Sequence, residues 1–227
     1  MKTKITLAMA MIIIGFVLCS TVVAYMPMLI IRECPHCKAH VVEEETVSGN
    51  TIGAMYWTDG KREAKMLPDH PWLAKCPACQ GLFWVDEAVE VDTGFDAAKG
   101  KQQVLAPSGK EMLEFLSGSV LPRDKEMFLR VAAWRSANDA WRRNPNATPA
   151  FSKDQEQNLK ALSDMLDEKE PNQRILKAEI ARELGEYDKC LRLLSQDFDE
   201  RYGYAVGFIK KLAKEKVLVV RSISPGK

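Results

Sequence analysis

Residues and motifs that mark an active site are scarce in this sequence. It contains three histidines among 227 residues, and it lacks the His-Glu-x-x-His, Gly-x-Ser-x-Gly and phosphate-loop glycine patterns. Acid–base catalysis would therefore have to use carboxylates that the sequence does not single out. We expect the protein not to be an enzyme.

An excess of charge of either sign is missing as well. The chain has 32 Lys and Arg against 31 Asp and Glu, a formal net charge of +1, so its overall field attracts neither nucleic acid nor anionic lipid. Hydrophobic residues make up 46% and charged residues 28%, which excludes a largely disordered chain and a polytopic membrane protein. The length fits two small domains, or one domain with an appendage.

One long segment carries no charge at all. Between Lys4 and Arg32 every residue is uncharged, and most are Ile, Leu, Val, Met or Ala. As a helix, residues 5–25 would be about 32 Å long, which matches a bilayer core of about 30 Å. We interpret residues 1–27 as a transmembrane anchor that contacts the membrane through residues 5–25.

Two other interpretations of this segment stay open. A cleaved signal peptide would also begin with lysines and would end at small residues such as those near Ala24, although its apolar core usually covers only about 7–15 residues. Alternatively, translation starts at Met26 or Met28, and the preceding segment is not part of the protein.

Four of the six cysteines form two Cys-Pro-x-Cys pairs. They are Cys34 with Cys37 and Cys76 with Cys79. The two intervening residues of each pair let both sulfurs face one ion at about 2.3 Å, and the proline favours a tight turn. Four thiolates complete a tetrahedral site with no position left for water or substrate, so a metal held here would be structural.

Each of these turns, which we call knuckles, follows a short run of strand-forming residues. In this design residues 28–91 resemble the zinc-ribbon class, which carries two Cys-x-x-Cys knuckles on neighbouring β-hairpins. The resemblance implies a small β domain with four zinc ligands: Cys34, Cys37, Cys76 and Cys79.

Iron and disulfides are the chemical alternatives at the same four cysteines. An all-thiolate tetrahedral site also holds iron, and rubredoxins, which transfer one electron, are similar in arrangement. Their second knuckle usually continues with glycine, whereas here Gln80 directly follows Cys79 and Gly81 comes after it. Two disulfides or free redox thiols would need no metal.

The four cysteines also bear on the histidines and on the compartment. Because four thiolates complete the site, we expect His36, His40 and His70 not to be ligands. Four thiols kept as metal ligands indicate a reducing compartment, so we place the C-terminal bulk of a single-pass membrane protein in the cytoplasm. With a start at Met26 or Met28, the whole protein would be cytoplasmic.

An inserted hairpin is predicted between the knuckles. Thirty-eight residues separate Cys37 from Cys76, against about 15–20 in the compact pattern, and Asp59-Gly60 between possible strands is a hairpin signal. Basic and aromatic residues flank this turn and form a candidate contact for a single nucleic-acid strand or a partner: Tyr56, Trp57, Lys61, Arg62 and Lys65. The simpler interpretation is a solvated hairpin tip.

The charge of the ribbon argues against nucleic acid. Residues 32–90 hold six basic and ten acidic side chains, and four thiolates around a divalent ion add about −2. Because phosphate binding depends on Lys and Arg, we do not expect nucleic acid to be a partner.

The C-terminal half carries helical signals. Capping-box spacing at Ser108 with Glu111, and at Ser152 with Gln155, predicts two helix starts. Apolar residues recur at helical spacing in three stretches: 123–143, 153–168 and 200–215.

A helix pair is predicted between these stretches. Residues 172–196 resemble the helix-turn-helix of a single tetratricopeptide repeat, in which Gly185 permits the turn, Tyr187 packs across it and Cys190 allows close helix approach. About 25 residues match, and no second copy occurs at a 34-residue period. We interpret the helical domain as the contact for an unknown protein partner.

These features together predict an α+β protein in several parts. A transmembrane segment precedes a small zinc-ribbon β domain with an inserted hairpin, and an α-helical domain follows. The predicted bounds after the anchor are 28–91 for the ribbon, 92–107 for a linker, 108–216 for the helical domain and 217–227 for a tail. We expect a non-enzymatic adaptor with structural zinc; a nucleic-acid-binding ribbon and a rubredoxin-like electron-transfer site are the alternatives.

Overall fold

Strands form the first part of the fold and helices the second. The computed structural model describes residues 25–146 and 150–223, and within them seven strands precede seven α-helices. The strands are β1 (Met26–Glu33), β2 (His40–Ser48), β3 (Met55–Tyr56), β4 (Arg62–Glu63), β5 (Leu73–Lys75), β6 (Leu82–Trp84) and β7 (Val89–Thr93). The helices are α1 (Phe95–Ala98), α2 (Gly109–Gly118), α3 (Arg123–Arg143), α4 (Lys153–Met165), α5 (Pro171–Glu183), α6 (Tyr187–Leu194) and α7 (Gly203–Lys214). The predicted α+β class is confirmed.

The strands form three small antiparallel sheets. The largest has the order β2-β1-β7, while β3 pairs with β4 and β5 pairs with β6. The inserted hairpin predicted from Asp59-Gly60 is β3–β4, and Gly60 lies at φ +73° in its turn, a conformation that glycine adopts without steric cost. One knuckle follows β1 and the other follows β5, so the two sheets bring the cysteine pairs together.

The predicted transmembrane segment falls almost entirely outside the described residues. Of residues 5–25, the structure describes Tyr25, which directly precedes β1. Among the helices of residues 25–146 and 150–223, none has the length and apolar composition needed to cross a bilayer.

The segment predicted to be a linker, 92–107, packs on the ribbon. It contains the end of β7 and helix α1. Its last part exchanges backbone hydrogen bonds with two strands: Val104 N–H donates to the Val42 carbonyl at 2.9 Å, and Lys75 and Leu105 bond each other at 2.9 Å in both directions. These bonds satisfy edge groups of β2 and β5 that would otherwise need water, so the sheets extend beyond the predicted ribbon boundary.

The helices begin where their capping residues predict. The side chains of Ser108 and Ser152 accept hydrogen bonds from the backbone of Glu111 and Gln155, and the return bonds of both capping boxes are present. The turn between α5 and α6 contains Gly185 at φ +78°, a conformation that favours glycine. Cys190 is fully buried among apolar residues of α5, α6 and α7, which fits a packing role for this cysteine.

The residues after α7 return to the inserted hairpin. Val219 and Val220 are buried against Trp141. The Ile223 N–H donates to the Tyr56 carbonyl at 2.8 Å, and the Thr58 N–H donates to the Arg221 carbonyl at 2.9 Å. Of the predicted tail, the described residues 217–223 therefore pair with the hairpin and join it to the helices.

Candidate metal centre

The four predicted ligands come together in one cluster. The sulfurs of Cys34, Cys37, Cys76 and Cys79 all lie within 4.8 Å of one another. The Sγ atoms of Cys34 and Cys79 are 3.8 Å apart, and those of Cys37 and Cys76 are 3.7 Å apart. Sulfurs placed tetrahedrally at about 2.3 Å from one ion are about 3.8 Å apart, whereas a disulfide would bring two of them to about 2 Å. All four cysteines are free, and their arrangement suits a metal ion.

The first knuckle is closed by its own backbone. The Cys34 N–H donates to the Ala39 carbonyl at 2.9 Å, and the Lys38 N–H donates to the Cys34 carbonyl at 3.0 Å. Lys38 lies at φ +63°, in the left-handed region that non-glycine residues rarely adopt. This turn points the sulfurs of Cys34 and Cys37 to the same side.

The second knuckle repeats the first in detail. The Cys76 N–H donates to the Gly81 carbonyl at 2.9 Å, and the Gln80 N–H donates to the Cys76 carbonyl at 2.9 Å. Gln80 also lies at φ +63°, and its side-chain amide donates to the Pro77 carbonyl at 2.8 Å. Gln80, and not Gly81, therefore has the left-handed backbone conformation. Gly81 instead allows a close contact with a neighbouring side chain.

That contact involves His36, which supports the knuckles without joining the sulfur cluster. Its Nε2 lies 2.8 Å from the Leu82 carbonyl oxygen, and a Cβ added at Gly81 would come within 2.6 Å of the imidazole. His70 pairs instead with Glu43 at 3.0 Å, and His40 is exposed at the start of β2. Among the described residues, the group suited to a metal consists of the four cysteines alone.

The ion would sit between the ribbon core and solvent. Cys34 and Cys76 are buried with Phe83 and Val85, while Cys37 and Cys79 are exposed. Burial acts to raise the pKa of the Cys34 thiol. Hydrogen bonds from the backbone N–H groups of Cys37 and His36, together with the thiols of Cys76 and Cys37, outweigh burial and lower this pKa to about 7. Burial raises the pKa of Cys76 above its ordinary value. A bound cation would stabilise all four thiolates.

The basic and aromatic residues of the hairpin are partly engaged within the chain. Lys61 Nζ lies 2.6 Å from Asp139 Oδ1, and Arg62 pairs with Asp69 at 2.7 Å. Trp57 is half-buried and lies under the guanidinium of Arg142, 5.3 Å from the ring centre to Cζ. The two remaining residues of the candidate contact are exposed: Tyr56 and Lys65. The five residues therefore do not form one free surface.

The turn of the hairpin is only partly exposed, because Asp59 is buried while Gly60 is exposed. Asp59 is 0% exposed, and its carboxylate accepts hydrogen bonds from Arg142 and, at 3.0 Å, from Asn138 Nδ2. Arg135 donates to the carbonyl oxygen of Gly60 at 2.8 Å. A polar face of α3 receives the turn, which explains why an aspartate can be buried there.

This contact belongs to a buried polar cluster that sequence reasoning missed. We use that name for seven side chains of the hairpin, α3 and α5: Asp59, Trp134, Asn138, Arg142, Glu179, Arg182 and Glu183. Trp134 Nε1 donates to Glu183 Oε2 at 2.6 Å, and Asn138 Nδ2 donates to Glu183 Oε1 at 3.1 Å. Burial, reinforced by nearby Glu179, raises the pKa of Glu183 well above its ordinary value. The signal was present, because Asn138 lies four residues after Trp134 and three before Trp141, inside the apolar stripe.

No protein-family model, curated protein or solved structure matches this chain. The four-cysteine cluster and the fold around it are therefore the basis for assigning a function.

Proposed function

We propose that this protein is a membrane-anchored zinc-ribbon protein that acts as a non-enzymatic adaptor. The observation that carries the proposal is the four-cysteine cluster, whose sulfur spacing fits a tetrahedral zinc site. Four protein ligands leave no coordination position for a substrate, so the zinc is structural and joins the knuckle after β1 to the knuckle after β5.

Residues 5–25 supply the anchor in this proposal. Their support is the sequence, in which an uncharged apolar run is long enough to cross a bilayer. Strand β1 begins at Met26, so the ribbon follows the proposed span without an intervening linker. Four cysteines placed as metal ligands favour a reducing compartment, and so a cytoplasmic ribbon.

The adaptor role rests on a groove in the helical part. An open groove of about 720 Å³ lies between α2, α3 and α4. Leu113, Leu116 and Ala161 supply apolar surface, while Lys110 and Glu114 supply charge. A groove of this composition suits an amphipathic segment of a partner protein, which would bury its apolar face there.

Two matched substitutions test this role. Ala161→Arg introduces a long charged side chain into the groove on α4, whereas Ala205→Arg makes the same change on α7, outside the groove. Both alanines are partly exposed, so both variants should fold. The tagged full-length chain is crosslinked and purified from membranes, and the partner that co-purifies with wild type in stoichiometric amount is quantified by mass spectrometry.

We expect the Ala161→Arg variant to lose this partner and the Ala205→Arg variant to retain it. The adaptor role is contradicted if wild type captures no stoichiometric partner, or if both variants retain it equally. Metal content and unfolding midpoint are measured on the same samples to show that the groove variant is folded.

A further inference from the structure

The end of the β2-β1-β7 sheet at which the chain enters the fold carries large exposed apolar side chains. Met26 is 59% exposed, Val47 57% and Phe95 65%. Single exposed apolar residues are common on protein surfaces, but strand pairing places these three at the same end of the sheet. We call them the sheet-end patch.

Strand pairing places the three residues at one end of β1. Met26 pairs with Ser48, and the register shift that follows leaves Val47 unpaired beside it. Phe95 begins α1 directly after Gly94, whose N–H donates to the Leu29 carbonyl at 2.7 Å. Val47 and Phe95 therefore flank the start of β1 on its two sides.

The length and composition of the chain outside the described residues indicate what covers the patch. Residues 5–24 are uncharged and mostly apolar, and they lead directly into Tyr25 and Met26. When residues 5–25 span a bilayer, Met26 emerges at the lipid headgroups, and Val47 and Phe95 are held beside it by β1. Tyrosine, the residue type at position 25, is enriched at this depth of a membrane.

The charges near the patch specify the kind of lipid surface. Lys99 pairs with Asp96 at 2.7 Å, and the Tyr25 hydroxyl donates to Glu44. The acidic side chains of Asp96 and Glu44 thus offset Lys99, and the end of the sheet offers no excess of positive charge to anionic lipid. Contact through apolar side chains with a zwitterionic interface fits this surface.

We propose that the sheet-end patch lies in the interfacial region of the bilayer and orients the ribbon on the membrane. This inference rests on the anchor in the proposed function. Strand β1 has eight residues, so at about 3.3 Å per residue it spans about 26 Å. Docking at the sheet end therefore places Cys34 and the metal centre about that far along β1 from the patch, away from the lipid.

Photocrosslinking of the full-length chain in phosphatidylcholine nanodiscs tests this arrangement. The photoreactive residue p-benzoylphenylalanine replaces Val47 or Phe95 in turn. The control position is Val120, which is 103% exposed in the loop between α2 and α3. Adducts are identified by mass spectrometry as lipid or protein, and the experiment is repeated with discs containing phosphatidylserine.

We expect lipid adducts at positions 47 and 95 to exceed those at position 120 by at least about fivefold. The yield of these adducts should not increase when the discs contain phosphatidylserine. Phe95→Ser should lower the lipid adduct at position 47, because it removes apolar surface from the same patch. Lipid adducts no higher than at position 120, in a chain that stays in the disc, overturn the docking and leave the anchor intact. Crosslinks to a second protein chain at 47 and 95 also overturn it. A chain that does not enter the discs overturns the anchor and the docking together.

Discussion

Lys38 shows how a single backbone angle affects the stability of the metal site. Its φ of +63° costs a non-glycine residue about 1–2 kcal/mol, while a glycine there would lose about 0.5–1 kcal/mol of conformational entropy on folding. We expect Lys38→Gly to stabilise the metal-loaded protein by about 0.5 kcal/mol. Urea unfolding followed by circular dichroism measures this difference.

The matched control for this prediction is Lys38→Ala. It removes the same exposed ion pair with Glu33 but keeps a Cβ in the left-handed region. Equal stability of the Gly and Ala variants would show that the backbone angle carries no cost.

Glu183 gives a second prediction at the residue scale, and its sign follows from the raised pKa. A carboxyl whose pKa is raised by burial favours folding in its neutral form. Its contribution is complete below the unfolded pKa of about 4.3 and is lost as the pH rises through the folded value. We expect the free energy of unfolding of Glu183→Gln to decline less with rising pH than that of wild type.

Urea unfolding of both proteins in the metal-loaded state, between pH 6 and pH 9, measures this. The metal centre is the same in both proteins, so its own pH dependence cancels in the difference. A difference between wild type and variant that stays constant over this range would show that Glu183 does not titrate there.

At the scale of elements, the inserted hairpin is joined to the helices through Asp59. Asp59→Ala removes the acceptor of Asn138 and Arg142 and leaves the guanidinium of Arg142, which is 4% exposed, with one fewer partner. We expect a loss of about 2 kcal/mol in the free energy of unfolding, because Arg142 keeps its ion pair with Asp139 but two buried donors lose an acceptor. Chemical denaturation measures it.

Asp69→Ala is the control for the hairpin. Asp69 also pairs with an arginine, Arg62, but its side chain is 60% exposed, and such pairs contribute about 0–1 kcal/mol. Similar losses in both variants would contradict the role assigned to Asp59.

Patterns of neighbouring residues predicted the turns and helix starts better than they predicted the contacts between distant elements. The Asp59-Gly60 turn, the two capping boxes and the knuckles each depend on a few neighbouring residues, and the structure contains all of them. The burial of Asp59 depends on Asn138 and Arg142, which are far away in the sequence. A polar residue within an apolar stripe indicates a buried partner but does not identify it.

The same reason explains the segments that flank the helices. Residues 102–105 and 221–223 show no periodic side-chain pattern, and they pair through backbone atoms with the ribbon and the inserted hairpin, which come much earlier in the chain. Backbone hydrogen bonding carries no side-chain signature, so composition alone predicts a linker and a tail there. The cluster of four cysteines was predictable because two Cys-x-x-Cys pairs are by themselves typical of a metal site.

At the scale of the whole molecule, the candidate metal centre and the last three helices belong to different hydrophobic cores. Two ligands, Cys34 and Cys76, are part of the ribbon core together with Phe83, whereas α5, α6 and α7 share an apolar core that contains Cys190 and no ligand. Removing the ion would leave the thiolates to repel one another or to take up protons inside the ribbon core. The helical core has no such dependence.

We therefore expect a strong chelator to abolish amide hydrogen-exchange protection in β1, β5 and β6, while α5 and α6 stay protected. Hydrogen-exchange mass spectrometry of the full-length chain measures this, and metal analysis before chelation distinguishes zinc from iron.

Cys37→Ser should reproduce the effect without chelator, because an exposed ligand is lost, whereas Cys190→Ser should bind metal like wild type. Simultaneous loss of protection in the ribbon and in α5 and α6 would show that the two cores unfold as one unit, joined through Asp59 and Asn138.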